Sequence, residues 1–132
     1  MVDLEGGPLQ ERYLSTQIVL NNVQEAASHT GRTWALAYDV AQMPSENFFD
    51  VMISDWKKLV DSGITKHPRY LHHGGKPVLC IWDFSRENIT PALANRIIDF
   101  FKSDPQYGVF LVGGIMWTWY NETYKGKSLV KS

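Results

Sequence analysis

The sequence predicts an α/β fold built on a parallel sheet. Three observations carry that expectation. Apolar runs at 33–40, 77–83 and 108–116 have strand length. Segments of helical periodicity separate them. The runs show no polar face: Trp34, Ala35, Leu36 and Ala37 in the first, and Val78, Leu79, Cys80 and Ile81 in the second. Such runs suit parallel strands covered on both sides.

The elements follow in the order α-β-α-β-α-β. Residues 13–29 read as a helix, because Leu20, Val23 and Ala27 recur at helical spacing and Gly31 ends the pattern. The strand 33–40 comes next. A loop with Pro44 and a capping candidate, Ser45, then leads to a helix over 47–61. There Phe49, Met52, Ile53, Trp56 and Val60 form one apolar stripe. Residues 64–76 read as a long connection with at most one helical turn, and the strand 77–83 follows. Thr90–Pro91 is a cap followed by proline at the first helical position. Leu93, Ile97, Phe100 and Phe101 mark that helix's inner stripe, and Asp104–Pro105 ends it. The strand 108–116 closes on Gly113–Gly114 and Met116. The polar tail 117–132 gives no element.

Composition bounds the function. The chain has 132 residues, enough for one domain; 44% are apolar and 20% charged, which marks a globular class. A net charge of −1 gives no nucleic-acid surface, and Lys57–Lys58 reads as the solvated face of a helix. No run approaches the ~20 apolar residues of a membrane helix. Residues 1–12 do not have the pattern of a signal peptide. Cys80 is the single cysteine, so no internal disulfide forms, and its apolar setting is that of a buried thiol. His72 and His73 are adjacent, so their rings diverge on a regular element and no third ligand stands at metal-site spacing. Lys76 follows two glycines in the reverse of a phosphate-loop order. Neither a cofactor nor a metal is expected. Asn88-Ile-Thr and Asn121-Glu-Thr match the glycosylation sequon, a short and unspecific pattern.

The first two strand runs end alike, on Tyr38–Asp39 and on Trp82–Asp83. In parallel α/β folds ligands sit at the carboxyl ends of strands. Two carboxylates beside aromatics at that end suit sugar binding or acid/base chemistry. Each aspartate capping its own turn is the alternative. Gly113, Gly114 and Trp117 fall at the same end of the third strand.

Three segments together resemble the glycoside hydrolase family 99-like proteins, which include endo-α-mannosidases and relatives labelled xylosidase/arabinosidase. They are "GRTWALAYDV", "YLHHGGKPVLCIWDF" and "VGGIMWTW", and the resemblance covers about residues 23–119. It implies a (β/α)8 TIM barrel whose strand ends bind a glycan. It places Tyr38, Asp39, Trp82, Asp83 and Trp117 (or Trp119) along the glycan-binding cleft. A full barrel needs ~250 residues, so residues 1–132 are expected to be a single partial barrel, a middle segment with three strands and three helices. "MVDLEGGPLQERY" looks like the exit from an earlier strand.

The resemblance also implies a retaining mechanism with a pair of Glu residues three apart. Glu5, Glu11, Glu25, Glu46, Glu87 and Glu122 contain no such pair. The expectation is therefore a glycoside hydrolase-like fragment with glycan-binding residues, no catalytic residues and no turnover alone. The alternatives are a non-catalytic or partner-completed carbohydrate-binding module and a compact α/β domain of unrelated function. As a barrel slice, strands 33–40 and 108–116 would each lose a neighbour and self-associate through exposed edges.

Overall fold

The computed structural model describes residues 2–4, 9–40, 48–83 and 89–114. The elements run β1 (Val2–Leu4), α1 (Leu9–Thr30), β2 (Leu36–Asp39), α2 (Phe48–Asp61), β3 (His72–His73), β4 (Lys76–Trp82), α3 (Pro91–Ser103) and β5 (Phe110–Gly113). A short 3₁₀ turn, Ile64–Lys66, follows α2. The fold is mixed α/β, with three helices and a small mixed sheet.

Strands β1, β2, β4 and β5 pair in that order, all parallel. The order follows the chain without reversal. Connections of one hand then place every helix on the same side. The core agrees. Leu36, Tyr38, Leu79 and Ile81 join the inward stripes of α2 (Met52, Ile53, Trp56) and α3 (Ala94, Ile97, Phe101) in one cluster. Ala37 and Cys80, of the opposite strand parity, stand outside that cluster. Ala37 and Cys80 are nonetheless only 6% exposed, and Val78, of the same parity as Cys80, lies in the cluster, so both faces of these strands are buried as expected while the helices back one of them.

Two corrections concern strand number. The parallel strands are four rather than three, because Val2–Leu4 pairs with Leu36–Tyr38. Hence β2 is an interior strand, and the sheet's outer strands are β1 and β5. The connection after α2 also holds a hairpin. In it β3 pairs antiparallel with the start of β4 (His72 with Pro77, His73 with Lys76) across Gly74–Gly75. Both glycines have positive φ, 57° and 79°, as a tight two-residue hairpin turn of this kind requires.

Specific polar contacts lock the layers. Thr90 caps α3 by accepting the Leu93 N–H at 3.2 Å. Trp56 Nε1 donates to the Tyr107 carbonyl at 2.9 Å, tying α2 to the turn after α3. Lys57 lies over the Phe100 and Tyr107 rings at 5.6 and 5.4 Å, so this lysine serves helix packing. At the amino end of the sheet, Tyr70 donates to the Val78 carbonyl (2.7 Å) and accepts the Leu36 N–H (3.3 Å). It thereby joins the starts of β2 and β4. Trp34 N–H donates to Arg69 O (3.0 Å) and Leu71 N–H to Trp34 O (2.8 Å), seating the hairpin under β2.

Candidate functional site

The carboxyl ends of β2, β4 and β5 form the candidate site. Register decides which residues share it. Asp39 stands opposite Trp82, and Tyr38 stands opposite Ile81. Side chains alternate along a strand, so Asp39 and Trp82 project from one face and Tyr38 from the other. The two aromatic–aspartate endings, alike in sequence, are offset by one residue in space.

Tyr38 therefore departs from the expected cleft. It is 1% exposed, faces the helices, and donates from its hydroxyl to Asp55 Oδ2 on α2 at 2.6 Å. Burial first, and the Asp55 carboxylate second, raise its pKa well above 10.0. Its role is to fasten α2 to β2. Asp55 went unnoticed in the sequence; its signal was its place on α2, one residue before the buried Trp56.

Trp82 is the opposite case. Its indole is 53% exposed on the face without helices. Gly114 seats it. The Gly114 N–H donates to the Ile81 carbonyl at 2.8 Å, carrying the chain past the end of β5 beside Trp82. A Cβ at Gly114 would collide with Trp82 Cε3 and come within 2.9 Å of Cζ3. The ring thus lies on bare backbone, with much of its surface open.

Asp83 follows outside the strand with φ 62°. Aspartate is among the few residues other than glycine that enter this left-handed region. β4 ends at Trp82 and Asp39 pairs with that residue, so Asp83 is not a register partner of Asp39. Trp117, Trp119, Met116, Glu5, Glu46, Glu87 and Glu122 lie outside the described residues, and of Glu11 only the helical backbone is described.

The same face carries more apolar surface. Phe110 and Val112 on β5 are 43% and 38% exposed, and the Phe110 ring meets that of His73 at 4.3 Å. Cys80 is buried there beside its register partner Ala37. Among the described residues no group of three His, Cys, Asp or Glu is placed to hold a metal, and no helix is long and apolar enough to cross a membrane. His72 accordingly turns to its own hairpin, with Nδ1 2.9 Å from the Tyr70 carbonyl.

Chemically, the site offers a flat apolar plate with a carboxylate at its side. A plate of that kind accepts the C–H face of a sugar ring, and a carboxylate accepts hydroxyl donors. No protein-family model, no curated protein and no solved structure matches the chain.

Proposed function

We propose that this chain binds a glycan at the carboxyl ends of its parallel strands, as part of a glycoside hydrolase-like barrel. The observation that carries the reading is the Trp82 indole, held open on Gly114 beside Asp39. A large, exposed aromatic normally loses solvent contact when a fold permits it. Here the backbone is shaped to present it. The sequence segments that resemble the family 99-like proteins, "KPVLCIWDF" and "VGGIMWTW", are those that supply Trp82 and Gly114.

The barrel reading draws support from topology. Four parallel strands in unbroken order, with helices on one face, match half of an eight-stranded (β/α)8 barrel. A doubly wound sheet would instead reverse its strand order and carry helices on both faces. In a barrel the helix-free face points inward. Its residues here are small beneath (Ala37, Cys80) and large toward one side (Trp82, Phe110, Val112).

A retaining hydrolase needs two carboxylates about 5–5.5 Å apart on either side of the scissile bond. Among the described residues the register partner of Asp39 is the indole of Trp82 and not a second acid. The proposed role is therefore binding. The test is a glycan array that includes α-mannosides, followed by calorimetry on the best ligand with wild type and Trp82→Ala. Binding that is lost in Trp82→Ala, with no release of reducing ends, is the expected outcome. Absence of binding to any sugar defeats the reading. Turnover that Asp39→Ala abolishes would instead make the chain a catalyst.

A further inference from the structure

We propose that the cleft between α1, α2 and the 3₁₀ turn is a second binding site, which takes a small organic anion through the imidazole Nε2–H of His67 and the ammonium of Lys66. The cleft lies at the amino end of the sheet, beside Trp34 at the approach to β2, and so at the opposite end from Asp39 and Trp82. The inference does not depend on the glycan reading.

The first argument is the state of the imidazole. Two N–H groups converge on His67 Nδ1, the Arg69 backbone N–H at 3.1 Å and the Trp34 indole N–H at 3.4 Å. Neither has a lone pair to offer, so Nδ1 is the acceptor, and in the neutral ring the hydrogen sits on Nε2. Trp34 is itself 5% exposed, and its backbone is bonded to Arg69 and Leu71, so the group that orients the imidazole is fixed to the sheet. Nε2 has no hydrogen-bond partner among the described residues, and it is not a sealed-off atom either. It is an oriented donor, and the cleft that His67 lines is where an acceptor can reach it.

The second argument is charge. The polar side chains around the cleft are Gln17 and Gln24 of α1, Ser62, Lys66 and His67. Lys66 brings a cation, and none of the described lining residues is an acid. The neighbouring charges are engaged elsewhere. Asp61 accepts from the Tyr107 hydroxyl at 3.0 Å, Glu25 stands 3.9 Å from His29, and the Arg69 guanidinium donates to the Gly31 carbonyl at 3.2 Å. Ser62 directs its hydroxyl hydrogen to the Leu59 carbonyl at 2.6 Å and adds only an acceptor. Gln17 gives one amide hydrogen to Asn21 at 3.1 Å and keeps the other. One cation beside several N–H donors selects an oxyanion.

The third argument is size. The cleft measures about 420 Å³, which is the scale of a small-molecule site rather than of a bare ion. Leu20 and Ile64, 2% and 7% exposed, give it an apolar wall together with Leu59. An apolar wall under a rim of donors fits an organic body that carries the oxyanion. Carboxylates and phosphate esters share that chemistry.

Nitrogen–proton NMR on the full chain, with the imidazole nitrogens observed, tests this. His67 is expected as the Nε2–H tautomer, and an Nδ1–H ring overturns the proposal. Benzoate and phenyl phosphate are the probes, with phenol as the neutral control. At millimolar concentration at least one of the two anions is expected to shift the His67 imidazole and the amides of Lys66 and His67, while phenol does not. A response to benzoate alone assigns a carboxylate, and one to phenyl phosphate alone a phosphate ester. His67→Phe should weaken that binding at least tenfold, the scale of a lost hydrogen bond to a charged group. Lys66→Gln should weaken it about threefold, the scale of an exposed ion pair; Lys66 is exposed, so this variant keeps the fold should His67→Phe lose it. No shift at His67 with either anion overturns the proposal. So do an equal response to phenol and an affinity that Lys66→Gln leaves unchanged. Glycan shifts at the Trp82 indole are read in the same spectra and stand or fall separately.

Discussion

Asp39 and Trp82 face each other across adjacent parallel strands, while Tyr38, one residue earlier, turns to the helices. That one-residue offset separates binding surface from scaffold. It gives each residue a different expected phenotype.

Trp82→Ala should weaken glycan binding at least tenfold, since it removes an apolar plate worth roughly 1.5 kcal/mol or more in contact area. Its effect on stability should be small, because the ring is half exposed. Asp39→Asn should weaken binding less, keeping the shape and losing the charge. Calorimetric titration alongside thermal unfolding separates the two effects.

Tyr38→Phe should do the reverse. It removes a buried hydrogen bond to Asp55 and should cost about 1–2 kcal/mol of stability. Glycan affinity should stay within twofold. Urea unfolding and the same titration measure both quantities.

Gly114→Ala should displace the Trp82 ring without unfolding the chain, since an exposed indole can swing aside. The Trp82 indole N–H resonance should move in a nitrogen–proton correlation spectrum, and glycan affinity should fall toward that of Trp82→Ala. An unmoved resonance would show that the ring does not rest on Gly114.

Alkaline pH should destabilise the fold through Tyr70 and Tyr38. Burial pushes Tyr70 from 10.0 up to about 12, against a smaller lowering from the Leu36 N–H. Tyr38 moves the same way. Below pH 10 the hydroxyls are neutral in both folded and unfolded chains, and the stabilisation is whole. Above 10 the unfolded chain ionises first, so stability falls as pH rises through about 12. For Tyr70 the loss is roughly 2–3 kcal/mol. Unfolding midpoints between pH 9 and 12 should drop steeply in wild type and less so in Tyr70→Phe.

Much of the fold was legible in the residues. The stripes of α2 and α3 (for example Met52, Trp56, Ile97 and Phe101) and the Thr90–Pro91 start arise from local periodicity and capping, which a sequence displays directly. Register does not arise locally. Nothing in "LAYDV" or "CIWDF" states that Asp39 aligns with Trp82; backbone pairing across the sheet fixes it, and a slip of one residue exchanges faces. β1 escaped notice because three residues carry no period. The hairpin was readable from Gly74–Gly75, whose pairing of glycines is a turn signal. The site was half visible: Trp82 and Asp39 by their place at strand ends, but neither Gly114's seating of the indole nor Tyr38's turn inward.

The most direct test of the glycan face is a nitrogen–proton NMR titration of the chain with a manno-oligosaccharide. The account predicts shifts concentrated on the Trp82 indole and on the amides of Asp39, Trp82, Gly113 and Gly114, with Tyr38 and Asp55 unmoved. No shifts, or shifts gathered elsewhere on the chain while the Trp82 indole stays fixed, would contradict it.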